Sequence, residues 1–157
     1  MSEKKKRIAM IASKADIAGA YPPLILATTA AAMDYEVGIF FTFFGLNMLK
    51  KKKLNKLKVT PVGQTAMPMP IPQIVGMIPG MTDMATAMMK SWMKGANVAK
   101  LQELMDISIE SGVKLIACQM TMDVMKIKRK QLIDECEVGG AATFLEFASE
   151  ADITLYF

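Results

Sequence analysis

Short apolar runs alternate along the chain with longer segments that have helical spacing. Short apolar runs predict strands over residues 7–13, 36–43 and 113–118, and an alternating run predicts a closing strand over residues 152–157. Segments with helical spacing or alanine-rich composition predict helices over residues 16–33, 46–58, 82–93, 98–111, 120–127 and 141–149. Repeated βα units of this kind predict one α/β domain over residues 1–157, with a doubly wound, mainly parallel sheet and helices on both faces.

Some of these elements carry predicted detail. The segment 46–58 holds six lysines with leucines between them, which predicts a basic amphipathic helix whose lysines face solvent. Thr82 is predicted to cap the helix that follows it, and Gly112 to end the helix before it. Residues 59–81 contain five prolines and no stable period, so they predict a long apolar loop at a subunit interface or a pocket wall. Those prolines also argue against a membrane-spanning helix.

Composition excludes several classes of catalyst. The chain has no histidine, which removes histidine general bases, histidine metal ligands and every Ser-His or Cys-His pair. Two cysteines without a CxxC pair cannot build a zinc site alone, so we expect no metal and no other cofactor. Free thiols are typical of a reducing compartment, and we expect a cytoplasmic protein.

Charge and hydropathy restrict the partners. The net charge is +4, and no aromatic residues are interleaved with the lysine clusters, so they predict a solvated face or a docking surface for an acidic protein rather than nucleic-acid binding. No GxGxxG or GxxxxGK[ST] motif occurs. A hydrophobic fraction of 52% and a mean hydropathy of +0.28 are high for a soluble monomer, which favours apolar surface buried between subunits. The sixteen methionines are assigned to packing and interfaces rather than to copper binding.

Cys118 is the candidate reactive residue. It ends a predicted strand, and in open α/β sheets ligands and chemistry collect beyond the carboxyl ends of the strands. The residues after it begin a predicted helix, whose free N–H groups would favour the thiolate over the thiol. The alternative is a buried apolar cysteine that only packs. Asp123 would oppose ionisation if it approached the sulfur. Cys136 stands among carboxylates that disfavour a thiolate, so it is interpreted as structural rather than as a resolving thiol.

Several segments resemble the DsrE/DsrF-like sulfur-relay proteins, particularly the DsrE subgroup often labelled peroxiredoxin-like. The matching segments run almost from end to end: K-A-D-I from Lys14, A-A-A-M-D-Y-E-V from Ala30, F-F-T-F-F-G-L-N from Phe40, M-P-M-P from Met67, P-G-M-T-D-M-A-T-A-M-M-K from Pro79, G-V-K-L-I-A-C-Q-M-T-M-D-V-M from Gly112 and E-V-G-G-A-A-T-F-L from Glu137.

The resemblance implies a flavodoxin-like fold, homo-oligomeric assembly, and a strand-end cysteine, here Cys118, that carries sulfane sulfur as a persulfide. It also implies TusA-like or rhodanese-like proteins as sulfur donors and acceptors. A peroxidatic role is not expected, because that chemistry needs a threonine and an arginine around the sulfur, and Arg7 and Arg129 are the only arginines.

Two hypotheses follow from the sequence. In the first, the chain is a sulfur carrier or sulfurtransferase, with Cys118 as the nucleophile. Five further residues are predicted to stabilise the anion or line its crevice: Gln119, Met120, Thr121, Ser13 and Lys14. In the second, the chain is a non-catalytic oligomeric assembly module in which Cys118 is merely packed. A peripheral membrane-associated protein is a third, weaker alternative.

Overall fold

One five-stranded, all-parallel sheet organises the protein. The computed structural model describes residues 4–60, 74 and 77–157. The strands are β1 (Arg7–Ala12), β2 (Glu36–Phe41), β3 (Lys114–Cys118), β4 (Glu137–Gly139) and β5 (Ile153–Tyr156). Their order across the sheet is β4-β3-β2-β1-β5, so β1, β2 and β3 are central and their apolar runs are buried on both faces.

Helices cover both faces of the sheet. They are α1 (Ile17–Ala32), α2 (Met81–Gly95), α3 (Leu101–Glu110), α4 (Gln119–Val124) and α5 (Ala141–Ala148). In the described ranges, 3-10 helices also span Phe43–Leu49, Leu54–Lys56 and Arg129–Gln131. The larger core lies beneath α1 and α3, where Ala20, Leu24 and Ala27 of α1 are fully buried at helical spacing. A smaller core on the other face joins β1, β2 and β3 to Phe144 and Phe147 of α5. The predicted flavodoxin-like α/β architecture is confirmed.

Local predictions were wrong in three places. Residues 46–58 form no α-helix: two 3-10 helices flank a turn in which Lys52 has a φ of 60°, and Lys50 forms an isolated bridge with Leu132. Thr82 does not cap α2, because Gly80, with a φ of 88°, precedes the helix and Thr82 lies in its first turn. The short strand β4 was not predicted, since three residues are too few to show an alternating pattern.

The predicted loop over residues 59–81 lies mostly outside the described residues. Where the chain is described, Met77 and Ile78 are exposed before α2 begins. Across the described ranges, no helix combines the length and the apolar character that a membrane span requires.

Candidate functional site

Cys118 lies at the point where β3 passes directly into α4. It is the last residue of the strand and precedes the first residue of the helix. Side chains alternate along β3, so Cys118 and Ile116 face α5, whereas Leu115 and Ala117 face α1 and α3. Only 3% of the Cys118 surface is accessible, so its sulfur is recessed at the carboxyl edge of the sheet.

Four polar groups near the Cys118 sulfur favour its ionised form and so lower its pKa. They are the hydroxyl and the backbone N–H of Thr121, the hydroxyl of Thr42, and the backbone N–H of Met120. Burial is the largest single influence and raises the pKa of the Cys118 thiol, but the hydrogen bonds together outweigh it. The pKa of Cys118 is therefore lowered from its ordinary value, and no histidine or ammonium group is needed to achieve this.

The two threonine hydroxyls form a buried pair. Thr42 Oγ1 and Thr121 Oγ1 are 3.2 Å apart, and both side chains are more than nine-tenths buried. Thr121 Oγ1 also accepts a hydrogen bond of 3.0 Å from the backbone N–H of Phe43. Because that N–H occupies an acceptor position of Thr121, the Thr121 hydroxyl hydrogen is left to turn towards Thr42 or towards the sulfur.

Strand register brings Thr42 to the site. β2 and β3 are adjacent and parallel, and Phe41 is paired with Ala117. The residues that follow this pair, Thr42 and Cys118, therefore lie beside each other. After Thr42, the backbone at Gly45 packs closely against the backbone of Ala12. A Cβ at Gly45 would lie 2.0 Å from the Ala12 carbonyl oxygen, so a side chain does not fit there. The intervening Phe43 has a φ of 46°, which is strained for a bulky residue.

Comparison with known proteins shows the family of the chain. The model of the DsrE/DsrF/DrsH-like family matches residues 4–156. The chain belongs to that family. It is 50% identical over 159 residues to the sulfur carrier protein DsrE2 of Allochromatium vinosum, covering 98% of this chain and 99% of the relative. It is 35% identical over 166 residues to the uncharacterized protein YrkE of Bacillus subtilis, covering 99% of each.

A solved structure shows the same fold. The crystal structure of the ychN protein of E. coli superposes with a TM-score of 0.58, covering 97% of this chain and 99% of that one. Sequence identity is 15%, so this likeness concerns the fold alone.

The predicted site residues of this DsrE-like chain fall into two groups. Gln119, Met120 and Thr121 follow Cys118 directly, and Met120 and Thr121 contribute to the lowered pKa of its thiol. The side chain of Gln119 instead donates to Asp123 Oδ1 at 2.9 Å. That contact gives the Asp123 carboxylate a partner on its own helix.

Ser13 and Lys14 follow β1 and lie apart from the sulfur. Because β2 separates β1 from β3, their strand is about 10 Å from that of Cys118. The Ser13 hydroxyl donates to the Phe157 carbonyl at 2.7 Å. Lys14 is exposed and lines a separate groove with Asp16 and Phe44. The structure therefore brings neither residue into contact with the thiol.

Thr42 is the site residue that sequence reasoning missed. It follows the predicted strand residues of β2 just as Cys118 ends β3, and both positions fall on the carboxyl edge of a parallel sheet. That edge position could have indicated Thr42 as a site residue. The sequence does not show that β2 and β3 are neighbours, and the sheet order does.

Cys136 is placed for packing and not for exchange with Cys118. It is buried, and its thiol donates to the Ile133 carbonyl at 3.2 Å. Burial, above all, raises the pKa of Cys136. The two free cysteines belong to cores on opposite faces of the sheet, and Cys136 precedes β4, whose far end pairs with Cys118. Three residues of extended strand span about 10 Å, beyond disulfide reach.

Both arginines are engaged away from the site. Arg7 forms an ion pair of 2.8 Å with Glu36 and lies 4.7 Å over the ring of Phe147. Arg129 donates to four carbonyl groups between residues 132 and 136, at distances from 2.8 to 3.5 Å. Neither is placed to assist a peroxidatic reaction at Cys118.

Proposed function

We propose that this protein is a sulfur carrier that holds sulfane sulfur as a persulfide on Cys118 and passes it between partner thiols. The observation that carries the proposal is the recessed Cys118 thiol at the carboxyl end of β3, on the edge of the sheet where the buried hydroxyls of Thr42 and Thr121 lie 3.2 Å apart. The name of the Allochromatium relative, a sulfur carrier protein, supports it. In this sense the chain is a sulfurtransferase with a covalent intermediate, and it uses its own thiol rather than a cofactor.

Loading is a displacement at sulfur. The Cys118 thiolate attacks the outer sulfur of a donor persulfide R–S–SH, so a new S–S bond forms at Sγ and the donor's S–S bond breaks. The donor leaves as R–S⁻, and Cys118 becomes Cys–S–SH. Delivery is the same step with an acceptor thiolate as the nucleophile and Cys118 as the leaving thiolate. No net oxidation or reduction occurs in the cycle.

The threonine and backbone groups near the sulfur assist both the loading of sulfur onto Cys118 and its delivery to an acceptor. They lower the pKa of Cys118, which increases the thiolate fraction that attacks the donor. They also stabilise Cys118 as a leaving group, because a thiol of lower pKa leaves faster. Hydrogen bonds to an ionised acceptor are stronger than those to a neutral one, so the same four donors favour the charged states of the cycle.

The surroundings of the sulfur are suited to a protein partner. Phe43 and Met120 directly adjoin the residues that contact the sulfur, and they are 55% and 58% exposed. Val124, at the end of α4, is 71% exposed. An exposed apolar rim around a recessed thiol favours docking of another protein surface over capture of a freely diffusing anion. TusA-like or rhodanese-like proteins in the cytoplasm are the proposed donors and acceptors.

A second candidate function is assembly. On α2, Met84, Met88 and Trp92 follow one another at four-residue spacing, and all three are exposed. The opposite side of the helix holds the buried Thr86, whose hydroxyl accepts the Val59 N–H. The outward apolar stripe favours a homo-oligomer. Light scattering of the wild type and of Met88→Glu tests it: a dimer or larger species that the variant dissociates supports assembly, and a monomeric wild type contradicts it.

Intact-protein mass spectrometry tests the carrier function. Wild type, Cys118→Ser and Cys136→Ser are each incubated with a sulfane-sulfur donor and then with a reductant. We expect one added sulfur atom, removable by the reductant, on the wild type and on Cys136→Ser but not on Cys118→Ser. Equal loading of Cys118→Ser, or no loading of the wild type by several protein and small-molecule donors, contradicts the proposal.

A further inference from the structure

A groove lies between the beginnings of α1 and α3, the 3-10 helix Leu54–Lys56 and the carboxyl-terminal half of α2. Its volume is about 690 Å³, within the range of roughly 300–1,000 Å³ that small-molecule sites occupy. It borders the core beneath α1 and α3, whereas Cys118 belongs to the core beneath α5. The groove is therefore separate from the thiol site.

The floor of the groove is apolar and uncharged. Ile17, Leu54 and Leu101 line it and are buried beneath it. Tyr21 also lines it and is half-buried. Burial raises the pKa of Tyr21, against the lowering effect of a hydrogen bond with the Leu101 backbone, so its phenol stays neutral. A ligand's hydrocarbon that packs on this floor is removed from water, and the floor offers no charge to a polar ligand.

The rim of the groove is cationic. Three exposed lysines line it: Lys90, Lys94 and Lys100. Lys90 Nζ donates to the Asn55 carbonyl at 3.0 Å, and among the described residues none of the three lysines forms a salt bridge. Glu103 is the acidic side chain among the lining residues. Three positive charges and one negative charge leave a net +2 on the rim.

An uncharged apolar floor beside a cationic rim matches one class of small molecule. We propose that the groove binds a free amphipathic carboxylate, a hydrocarbon chain with a single anionic headgroup. The chain lies along the floor, where each buried methylene improves affinity about fourfold. The carboxylate lies among the rim lysines, which select an anion over an alcohol of the same length. A short carboxylate lacks the chain and binds too weakly to detect.

Titration with decanoate below its micellar concentration tests the site. Calorimetry reports binding, and thermal unfolding provides a second readout. We expect saturable binding of decanoate and a higher melting temperature in its presence. Acetate should give no response, and 1-decanol should bind at least fivefold more weakly.

Matched variants localise the binding. The triple variant Lys90→Gln, Lys94→Gln, Lys100→Gln should bind decanoate about tenfold more weakly, because each exposed ion pair contributes a few-fold. An equal loss of charge outside the groove, in Lys52→Gln, Lys53→Gln, Lys130→Gln, should leave binding unchanged.

Four results overturn the proposal: no saturable binding to folded wild type, equal binding of 1-decanol, equal loss in both triple variants, or binding to anionic vesicles in place of free decanoate. Decanoate binding that is unchanged in Cys118→Ser separates this site from the sulfur-carrier function, so either proposal can fail alone.

Discussion

Replacing Thr42 with valine removes one donor from the Cys118 thiolate and nearly preserves the shape of the side chain. Among the residues that the structure describes, Thr42 forms one side-chain hydrogen bond, with Thr121 Oγ1 at 3.2 Å, and its hydroxyl also contributes to the lowered pKa of Cys118. Thr42→Val therefore leaves the Phe43 N–H satisfied by Thr121, which Thr121→Val would not do. Thr42→Val should raise the pKa of Cys118 and lower its reactivity near neutral pH.

The size of the effect follows from what the hydroxyl does in each ionisation state. A hydrogen bond to a charged acceptor contributes about 1.5–3 kcal/mol. When the thiol is protonated, the Thr42 hydroxyl can donate to Thr121 instead, so the loss on ionisation falls near the lower limit. About 1.4 kcal/mol changes the equilibrium constant for ionisation of the Cys118 thiol tenfold. We expect an approximately tenfold smaller thiolate fraction at a pH below the pKa.

The assay is the second-order rate of alkylation by iodoacetamide as a function of pH. For the wild type and Thr42→Val, rates should converge at high pH and differ by about tenfold at pH values below the pKa of Cys118 in both proteins. Thr42→Ser keeps the hydroxyl and should follow the wild type. Thr28→Val is a matched control, because the Thr28 hydroxyl bonds only to carbonyls of its own helix. A folded Thr42→Val that reacts within twofold of the wild type throughout the pH range below both pKa values refutes the reasoning.

Four further outcomes are expected. Gly45→Ala should lose about 1–3 kcal/mol of unfolding free energy, because its Cβ overlaps the Ala12 backbone, whereas Gly95→Ala, with open space around its Cβ, should lose none in the same denaturant titration. Arg129→Met should also lose about 1–3 kcal/mol of unfolding free energy in a denaturant titration, because four carbonyl groups lose their hydrogen-bond donor; unchanged stability contradicts this. Cys136 should stay unalkylated until the protein unfolds, as followed by mass spectrometry, because its pKa is raised and its thiol donates to the Ile133 carbonyl; labelling of folded protein contradicts this. A lowered pKa for Cys118 contributes stability that is present above the unfolded-state pKa and is lost as the pH falls through the folded-state pKa. The advantage of the wild type over Cys118→Ser in unfolding free energy should therefore grow as the pH rises through the folded-state pKa and level off above the unfolded-state pKa of about 8.5, and a constant difference contradicts this.

The sequence predicted the position of Cys118 well and its surroundings only in part. A buried apolar run followed by a helical pattern is enough to place a residue at the carboxyl end of a strand, and β3 and α4 confirm that placement. Met120 and Thr121 follow from chain continuity. Thr42 does not, because its contact with the sulfur depends on which strands are neighbours and on their register. Periodicity within one strand carries no information about either.

The lysine-rich segment shows why the helix prediction failed there. Leucines and lysines in residues 46–58 fit helical spacing, and the buried Leu46, Leu49 and Leu54 do face the core. A tight 3-10 turn repeats after three residues, so it buries nearly the same positions as an α-helix over a short span. The backbone contact at Gly45 and the bridge from Lys50 to Leu132 then decide between the two conformations, and both are tertiary contacts.

The recessed position of Cys118 also affects how its chemical state can be surveyed in cell extracts. With 3% of its surface accessible, the sulfur admits narrow reagents far more readily than wide ones. Proteomic thiol profiling that uses bulky maleimide or biotinylated probes would score this cysteine as unreactive in the native protein, whatever its pKa. Compact electrophiles, or denaturation after rapid trapping with one, would be needed to count how many copies carry sulfur.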